Sequence, residues 1–433
     1  MKGHVAGALR WRDLIAAVGH WLRRGPASVD DFRAAFARSL GVETDAVRLL
    51  GSGRAALHAF TAALDLPPGS EVLLPGYTCV VVPNVFMHLG LTVRYVDIGE
   101  RDFNPSAEAI ASAIGPATRV VVVPHNFGFV TAGLDALRAR FPEVVFIEDA
   151  AHAWGGTDAT GQVAGTLGHA AFFSFEYSKP LTTGIGGALV IADAAQRARV
   201  SPRLPDLRAP SARTVFKQAL TLTWHRLTMS LPRPALVALI ALLRAPSRML
   251  GLVAKTPDSE VAGDTQPDYR AGLHPFSAAI GLTQARRFAE IHALRRAQAA
   301  DYDALLADLP GWERPDPSPD RAPGAVLLRY PVLLPDTATR DAAIAALEAA
   351  GIVGGTWFDD VVHPRGSRRY GYTEGECPNG ERAARTVLNL PLGRHARLSP
   401  AQRAAVRAIA EQHGGRHRHD GRGGATAREE PTR

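Results

Sequence analysis

A single lysine, Lys179, stands between two apolar runs in the stretch FSFEYSKPLTTGIGGALVI, residues 173–191. Threonine and glycine residues follow it at once, and the glycines allow the chain to reverse tightly before the second run. Lysine is seldom buried without a partner, so a lysine in a loop is usually exposed to solvent. A lysine amine held in an interior loop is instead suited to form a Schiff base with a carbonyl group.

Two further candidates lie in VFIEDAAHAWGG, residues 145–156. Asp149 falls at the C-terminal end of an apolar strand, which is the end at which open α/β sheets bind ligands. An isolated aspartate there is otherwise read as an acidic helix cap. His152 comes three residues later and points toward the same region if the turn is helical. Taken alone, it is equally well explained as a structural histidine.

The stretch LLGSGRAALHAFTAAL, residues 49–64, predicts a strand end, a Gly-Ser-Gly turn and a helix. The first turn of such a helix exposes backbone N–H groups, and the helix dipole favours an anion there. Arg54 adds a fork of donors at this position. A Gly-Ser turn before a helix is also an ordinary cap, so the motif alone is weak.

The order of these parts favours one cofactor. Pyridoxal 5′-phosphate (PLP) requires N–H donors for its phosphate, a carboxylate for its pyridinium nitrogen and a lysine amine for its aldehyde. The helix start at Gly53, then Asp149, then Lys179 provide these three functions in sequence. The ordered set predicts a PLP site.

Short β-branched or aromatic runs must position these residues. Near-continuous apolarity over a few residues is typical of strands buried on both faces, and helical stretches such as AEAIASAI separate several of the runs. This alternation predicts a mostly parallel α/β sheet. The predicted strands are EVLLP (71–75), TVRYVDI (92–98), RVVVVP (119–124), VVFIED (144–149), AAFFSF (170–175) and GALVIA (187–192).

From roughly residue 25 to 409 the chain resembles the DegT/DnrJ/EryC1/StrS family of PLP-dependent sugar aminotransferases, a branch of fold type I. The motifs that carry the resemblance are SGRAALHAF, VLLPGYTCVVVPNVF, VVVPHNFG, IEDAAHAWGG, FSFEYSKPLTTGIGG, AAIGLTQARRF and NLPLGRHARLSP. The resemblance implies a mixed, mainly parallel seven-stranded sheet and a small C-terminal α+β domain. It also implies a homodimer with active sites at the subunit interface.

The resemblance assigns roles to individual positions. Lys179 would hold the cofactor covalently, Asp149 would pair with the pyridinium nitrogen, and His152 would lie at the 3′-oxygen. The residues expected to hold the phosphate are Gly53, Arg54 and Ser174.

The sequence also departs from the family pattern. Cys79 stands where the family often has an aromatic residue stacked on the cofactor ring, so stacking falls to Tyr77 or is absent. Threonine is usual at the position of Arg54. His274 replaces an asparagine that often reaches the partner subunit's phosphate. Substrate contacts are expected from Trp357, His363 and Tyr370, although aromatic residues and histidines in such loops are as often packing residues.

The implied activity is transfer of an amino group from glutamate or a similar amino acid to a keto-sugar, usually nucleotide-linked, for polysaccharide or antibiotic-sugar synthesis. Dehydratases of the same family commonly have histidine at the lysine position, so Lys179 favours transfer. A PLP-dependent lyase and a catalytically inactive PLP- or nucleotide-binding regulator remain the alternatives.

Residues 201–257 carry nine Arg and Lys residues against one acid, Asp206, whereas the whole chain has a net charge of +7. The remainder is therefore nearly neutral, and a nucleic-acid partner is not expected. One interpretation is a helical subdomain over the active-site mouth or the dimer interface, with Val215, Phe216, Ala219, Leu220 and Leu227 near one face. The other is peripheral contact of residues 213–253 with an anionic membrane.

The amino-acid composition limits the class of protein and its expected location. The 433 residues are 46% hydrophobic and 21% charged, which is typical of a globular protein. Cys79 and Cys377 form neither a disulfide framework nor a CxxC metal pair, so we expect no metal site and a cytoplasmic protein. If the basic segment docks on the membrane, we expect the protein to lie at its inner face. No apolar run approaches the roughly 20 residues of a membrane span.

The predicted organisation has six parts. These are an N-terminal helical segment (1–45), a large PLP-binding α/β domain (46–200), a basic and apolar helical insertion (201–270), a linking helix (271–310), a small C-terminal α+β domain (311–414) and a disordered tail (415–433).

Overall fold

The computed structural model describes residues 8–230, 257–265, 269–309, 311–315 and 324–413. Within them, a seven-stranded sheet has the strand order β1-β8-β7-β6-β5-β2-β4. The pairs from β4 to β7 are parallel, whereas β8 runs antiparallel to both β7 and β1. Its strands are β1 (Val47–Leu50), β2 (Glu71–Pro75), β4 (Thr92–Val96), β5 (Thr118–Pro124), β6 (Val145–Asp149), β7 (Ala170–Ser174) and β8 (Gly187–Val190). A two-residue strand, β3 (Thr78–Cys79), lies outside this sheet.

The sheet prediction is confirmed, because each predicted apolar run coincides, within a few residues at its ends, with one strand of this sheet. Alternate residues of the strands face two separate cores. Val120, Val122 and Ile147 belong to one core, and Val121 and Phe146 belong to the other. All five side chains are at most 2% exposed, so burial on both faces explains why these strands are continuously apolar.

Helices cover both faces of the sheet. Residues of α3 and α4 pack in the core that holds Val120, whereas residues of α5 and α6 pack in the core that holds Val121. The helices that precede and accompany the sheet are α1 (Trp11–Arg24), α2 (Ser28–Leu40), α3 (Gly53–Ala63), α4 (Val81–His88), α5 (Ala107–Ala113), α6 (Leu134–Arg140) and α7 (Ala194–Val200).

After the sheet, the insertion contributes α8 (Ala212–Ser230) and α9 (Asp258–Ala262). The predicted linking helix is two helices, α10 (Pro275–Ala285) and α11 (Phe288–Leu305), which are separated at Arg286 and Arg287. Residues 231–256, which include the whole apolar run PALVALIALL, and the tail 414–433 lie outside the described residues. The expected disorder of the tail therefore stays a prediction.

The face predicted for α8 is wrong. Phe216 is 71% and Leu227 is 38% exposed, whereas Leu222 is fully buried. Val215 and Ala219 pack beside Leu222 because positions i, i+4 and i+7 share one face of a helix. Phe216 lies about 100° around the helix from Val215, so it faces away from this contact.

The C-terminal part has an antiparallel pair of strands, β9 (Tyr330–Leu333) and β11 (Val387–Leu390). A third short strand, β10 (Val362–His363), instead pairs in parallel with β3. The accompanying helices are α12 (Thr337–Ala349), α13 (Pro378–Thr386) and α14 (Pro400–His413). A shared core joins these elements to Tyr77, Phe103 and Phe127 of the large sheet region. In the described part of the chain, no helix is both long and apolar enough to cross a membrane.

Candidate active site

Lys179 lies in the loop between β7 and β8 and is only 7% exposed. Its Nζ is 3.9 Å from Glu176 Oε1 and 5.3 Å from the centroid of the Trp357 ring. Burial lowers the pKa of the Lys179 amine, and the nearby carboxylates of Glu176 and Asp149 partly oppose this fall. A lowered pKa increases the neutral, nucleophilic fraction of the amine, which is the state that attacks a carbonyl group.

The loop after Lys179 is held from two sides. Gln284 of α10 bonds both peptide groups of Thr182: its Oε1 accepts the Thr182 N–H at 3.2 Å, and its Nε2 donates to the Thr182 carbonyl. Gln218 of α8 donates to the Thr183 carbonyl, and both glutamines are buried. The insertion helix thus packs directly against the lysine loop.

Asp149 ends β6, as expected, and its carboxylate lies within electrostatic range of Lys179. Its Oδ1 accepts the N–H of Ala151 at 3.1 Å. Burial raises the pKa of the Asp149 carboxyl, and the charges of Lys179 and His125 oppose the rise. A cation that binds beside this buried carboxyl, such as a protonated ring nitrogen, would stabilise its ionised form.

His152 is buried with its ring centroid 4.7 Å from that of Trp357. Its Nδ1 accepts the N–H of Phe127 at 3.3 Å, so the ring proton lies on Nε2. Burial lowers the pKa of His152 well below its ordinary value. The Nε2–H group has no hydrogen-bond partner among the described residues and can therefore donate to an oxygen atom of a bound group.

The start of α3 forms a tight cradle. Ser52 caps the helix, with its Oγ accepting the Ala55 N–H at 3.2 Å. A Cβ atom added to Gly53 would lie 3.0 Å from the Phe173 carbonyl and 3.2 Å from Ser174 Cβ. A Cβ atom at Gly187 would lie 2.4 Å from the Gly53 nitrogen. A side chain at Gly187 would therefore push the helix start away from the first residue of β8, and one at Gly53 would be tightly packed against the end of β7.

Arg54 also lies at this helix start, but its Nη1 forms an ion pair with Glu260 of α9, which is buried. Its expected contact with a phosphate therefore stays a prediction. The sequence contained no signal for this pair, because the two residues are far apart along the chain and each is common on protein surfaces.

Cys79 lies in β3 within electrostatic range of Lys179, Asp149 and Arg54, and burial is the main cause of the raised pKa of its thiol. Tyr77 is fully buried, and its hydroxyl both donates to the Phe358 carbonyl and accepts the Phe358 N–H. These bonds favour a structural role for Tyr77, and stacking on the cofactor stays a prediction for both residues.

Of the remaining residues singled out in the sequence, one lies near Lys179 and two have structural hydrogen bonds elsewhere. His363 pairs across β10 and β3 with Cys79, and its Nδ1 lies 2.6 Å from Asp359 Oδ1. Tyr370 instead bonds Asn84. His274 caps α10, with its Nδ1 accepting the Phe276 N–H at 3.1 Å. His363 is thus close to the site, whereas the bonds of Tyr370 and His274 are those of structural residues.

These residues fit PLP. The buried Lys179 amine, the Asp149 carboxylate, the free Nε2–H of His152 and the Gly53–Ser174 cradle provide the groups that its aldehyde, ring nitrogen, 3′-oxygen and phosphate require. Together with the mixed sheet, they place the protein in the class of fold type I PLP-dependent enzymes. The chain belongs to the DegT/DnrJ/EryC1/StrS aminotransferase family, whose model matches residues 12–221 and 238–409. It is accordingly a PLP-dependent aminotransferase of sugar biosynthesis.

Two relatives cover most of the chain. The dTDP-4-dehydro-2,3,6-trideoxy-D-glucose 4-aminotransferase of Saccharopolyspora spinosa is 29% identical over 407 residues, 92% of each chain. The spore coat polysaccharide biosynthesis protein SpsC of Bacillus subtilis (strain 168) is 28% identical over 381 residues, 86% of each chain.

Solved structures agree with this family. The aminotransferase TlmJ of Streptoalloteichus hindustanus superposes with a TM-score of 0.69 at 26% identity, covering 95% of this chain and 98% of TlmJ. DesV of S. venezuelae, solved with a ketimine intermediate, has a TM-score of 0.68 at 26% identity, with 92% and 95% covered.

Proposed function

We propose that the protein transfers an amino group from an amino acid, such as glutamate, to a nucleotide-linked keto-sugar. The observation that carries this proposal is the buried Lys179 beside Asp149 and His152. The Saccharopolyspora relative, whose name specifies a dTDP-linked keto-sugar, supports the acceptor class. DesI, solved with its TDP-sugar product at 25% identity and a TM-score of 0.66, supports it as well.

Each side chain has a defined part. Bound PLP would supply an electron sink for the carbon that loses a proton. Asp149 would pair with the ring nitrogen and keep it protonated. The Lys179 amine, once released from the cofactor, would accept the proton from one carbon and deliver it to another; this requires its neutral form, which burial favours. His152 Nε2–H holds the 3′-oxygen.

An absorption experiment tests the proposal. Wild-type protein purified with PLP is expected to show a visible band that borohydride fixes onto Lys179 and that L-glutamate bleaches. Lys179→Ala is expected to lose the band, whereas Lys217→Ala, a change at an exposed lysine of α8, is expected to keep it. A band in wild type that L-glutamate and other amino acids leave unchanged would favour the lyase, and no band would contradict the PLP assignment.

We also propose a cytoplasmic homodimer. The two free thiols, Cys79 and Cys377, suit a reducing compartment. The resemblance of the sequence motifs to the family supports active sites at a subunit interface. Size-exclusion chromatography with light scattering is expected to give twice the 46.2 kDa chain mass; a single chain mass at micromolar concentration would reject the dimer.

Peripheral membrane contact through residues 213–253 is a second proposal, and the described part of this segment supports it. Phe216 is 71% exposed on α8, next to the exposed cationic side chain of Lys217. An exposed aromatic ring among cations suits an anionic lipid surface. Phe216→Asp is expected to reduce sedimentation with phosphatidylglycerol vesicles more than Thr223→Asp does, since Thr223 is an exposed polar residue of the same helix. Wild-type protein that stays in the supernatant at low salt would reject the contact.

A further inference from the structure

The large apolar side chains exposed to solvent are confined, in the described part of the chain, to α1 and α8. Single exposed apolar residues are ordinary, whereas a group of them marks a surface that contacts a partner or a membrane. On α1, Ile15 and Leu22 are 72% and 73% exposed. The full set is Trp11, Ile15, Val18 and Leu22 on α1 with Phe216 and Leu227 on α8.

The four residues of α1 form one stripe. Their spacing, i, i+4, i+7 and i+11, places them within about 60° of the helix circumference and over about 17 Å of its length. The buried Leu14 and Ala17 lie on one side of this stripe. Arg12 and Arg23, both exposed, lie on its other side. An apolar stripe with a cationic border is typical of a helix that lies in a membrane interface.

The helix α8 lies beside α1. Leu14 of α1 and Leu222 of α8 belong to the same small core. Arg226 Cζ of α8 lies 5.7 Å from the centroid of the Trp11 ring. Leu227 is the next residue of α8, so the two helices present exposed apolar side chains on neighbouring parts of one surface.

A cleft rich in arginine opens where the two helices meet. It has a volume of about 350 Å³ and is lined by Trp11 and by Arg10, Arg12, Arg226 and Arg394. Arg394 comes from the loop between β11 and α14. Burial and the charge of Arg394 lower the pKa of Arg226, which shows that these cations lie within range of one another. Such a concentration of positive charge favours a bound anion.

The carboxylates near this cleft do not neutralise it. Glu290 forms an ion pair with Arg10, and Asp13 accepts from the arginine that precedes α11 at 2.6 Å. Neither Arg12 nor Arg394 forms an ion pair with any residue that the structure describes. The cleft therefore keeps positive charge for an anion from outside the chain.

An anionic membrane fits this surface better than a second copy of the chain does. A two-fold interface places the same patch of both copies together, so the arginines of one cleft would approach those of the other. A membrane instead supplies phosphate groups at the level of the arginines and an acyl boundary beside them. Arginine binds phosphate through two parallel N–H bonds, and tryptophan is enriched at the membrane interface.

We propose that α1 and α8 dock together on an anionic phospholipid surface, with a lipid phosphate in the arginine cleft and the α1 stripe at the acyl boundary. This inference rests on the proposed membrane contact of residues 213–253, to which it adds a second helix and a headgroup site. Gln218 of α8 also donates to the Thr183 carbonyl of the lysine loop, so the docked helix connects the membrane to the active site.

Sedimentation of the full-length, PLP-loaded protein with vesicles tests the surface. Wild type is expected to bind phosphatidylcholine vesicles that contain phosphatidylglycerol at least about 10-fold more tightly than vesicles of phosphatidylcholine alone. Ile15→Asp is expected to weaken binding to the anionic vesicles about 10-fold, because it places a negative charge in the apolar stripe. The double variant Arg12→Gln with Arg394→Gln is expected to weaken it by about 10-fold as well.

Each change has a matched control. Ala345→Asp adds an acid at an exposed position of α12, and Arg119→Gln with Arg140→Gln removes two exposed arginines of β5 and α6. Both controls are expected to bind the vesicles as wild type does. Thermal melts by circular dichroism verify folding, and the double arginine variant carries the test if Ile15→Asp does not fold.

Other results would identify a different occupant and overturn the proposal. Weaker vesicle binding in Phe216→Asp, with Ile15→Asp and the double arginine variant unchanged, would restrict the contact to α8. Conversion of a dimer to a monomer by Ile15→Asp, with vesicle binding unchanged, would assign the stripe to a second copy. Calorimetric binding of inorganic phosphate that only the double arginine variant loses, with vesicle binding unchanged, would assign the cleft to a free anion.

The test is separate from that of amino transfer. Wild-type protein that stays in the supernatant with anionic vesicles would overturn both this proposal and the contact through α8, but not the transfer reaction. Bleaching of the PLP band by L-glutamate is expected in every one of these variants, since none of the changed residues lies at Lys179. A wild-type band that no amino acid bleaches would contradict the transfer reaction and leave the vesicle result standing.

Discussion

Glu148 Oε2 lies 2.8 Å from His125 Nε2, and neither side chain is exposed to solvent. The Thr131 N–H donates to His125 Nδ1, so the ring proton lies on Nε2 and points at the carboxylate. Backbone N–H groups of Gly165, Leu167 and Gly168 complete the set of donors around Glu148. This carboxylate directly precedes Asp149, so it fixes the strand end that carries the cofactor-pairing residue.

Glu148→Gln is expected to destabilise the protein by about 3 kcal/mol. Each carboxylate oxygen accepts from two N–H donors, so an amide nitrogen in either orientation would face donors instead of an acceptor. Urea unfolding followed by circular dichroism measures the change. Glu143→Gln, at an exposed position, is the matched control, and equal stabilities for the two variants would contradict the role of this network.

The strands were predictable from the sequence because strands buried on both faces must be continuously apolar. The order of Gly53, Asp149 and Lys179 in the sequence predicted one cofactor site. The structure places Asp149 at the end of β6, Gly53 against Ser174 at the end of β7 and Lys179 in the loop after β7, and the roles of the three residues toward the cofactor stay predictions. The buried face of α8 was not predictable from the sequence, since apolar side chains lie on two sides of that helix. Only the packing of Leu222 decides which side is buried.

Polar contacts between residues far apart in the chain could not be predicted from the sequence either. Arg54 pairs with Glu260, and Arg329 bonds Asn389, across 60 residues or more. Neither pair has a local sequence signature, because arginine, glutamate and asparagine are all common on exposed surfaces. Only the fold shows that these particular side chains are withdrawn from water.

Gly187→Ala tests the cradle at the start of α3. The added Cβ would lie 2.4 Å from the Gly53 nitrogen, so the helix start must move away from β8. We expect a loss of about 2 kcal/mol in stability and a PLP affinity reduced at least about 10-fold. Gly115→Ala is the control, because a Cβ there meets nothing within 4 Å and the change should stay within about 0.5 kcal/mol. Equal PLP affinity in the two variants would contradict the cradle.

Gln284→Ala tests the support of the lysine loop. The substitution leaves the N–H and the carbonyl of Thr182 without their buried partner, at a cost of about 2 kcal/mol. Hydrogen exchange measured by mass spectrometry is expected to rise in residues 179–187. Gln402→Ala also removes a hydrogen bond, but it does so at the start of α14 and should leave this loop unchanged. Identical exchange of the loop in both variants would show that Gln284 does not hold it.

Glu176→Gln tests the charge balance at Lys179. Glu176 is the nearest described carboxylate to the amine and raises its pKa against the lowering effect of burial. Its removal should therefore lower the pKa of Lys179 further and shift the pH profile of PLP incorporation into the apo-protein toward lower pH. Absorbance-monitored incorporation between pH 6 and 10 measures the shift, with Glu143→Gln as control. A profile that moves to higher pH would reject this balance.

Asp149→Asn separates stability from activity. Burial raises the pKa of the Asp149 carboxyl above its ordinary value of 3.8, so this carboxyl binds a proton more readily in the folded apo-protein than in the unfolded chain. Such a group stabilises the fold at low pH and loses that contribution as pH rises through the folded pKa. An asparagine is neutral throughout and still accepts the Ala151 N–H, so the variant apo-protein should be more stable than wild type at pH 7, by about 1 kcal/mol.

That advantage should disappear as the pH falls below the ordinary carboxyl pKa, where wild-type Asp149 is protonated as well. Urea unfolding of both apo-proteins between pH 3.5 and 8 measures the difference. Bleaching of the PLP-loaded variant by L-glutamate should meanwhile be at least about 100-fold slower, because the ring nitrogen loses its carboxylate partner. A variant less stable than wild type at pH 7 would show that Lys179 and His125 already compensate the buried charge, and the raised pKa would have to be abandoned.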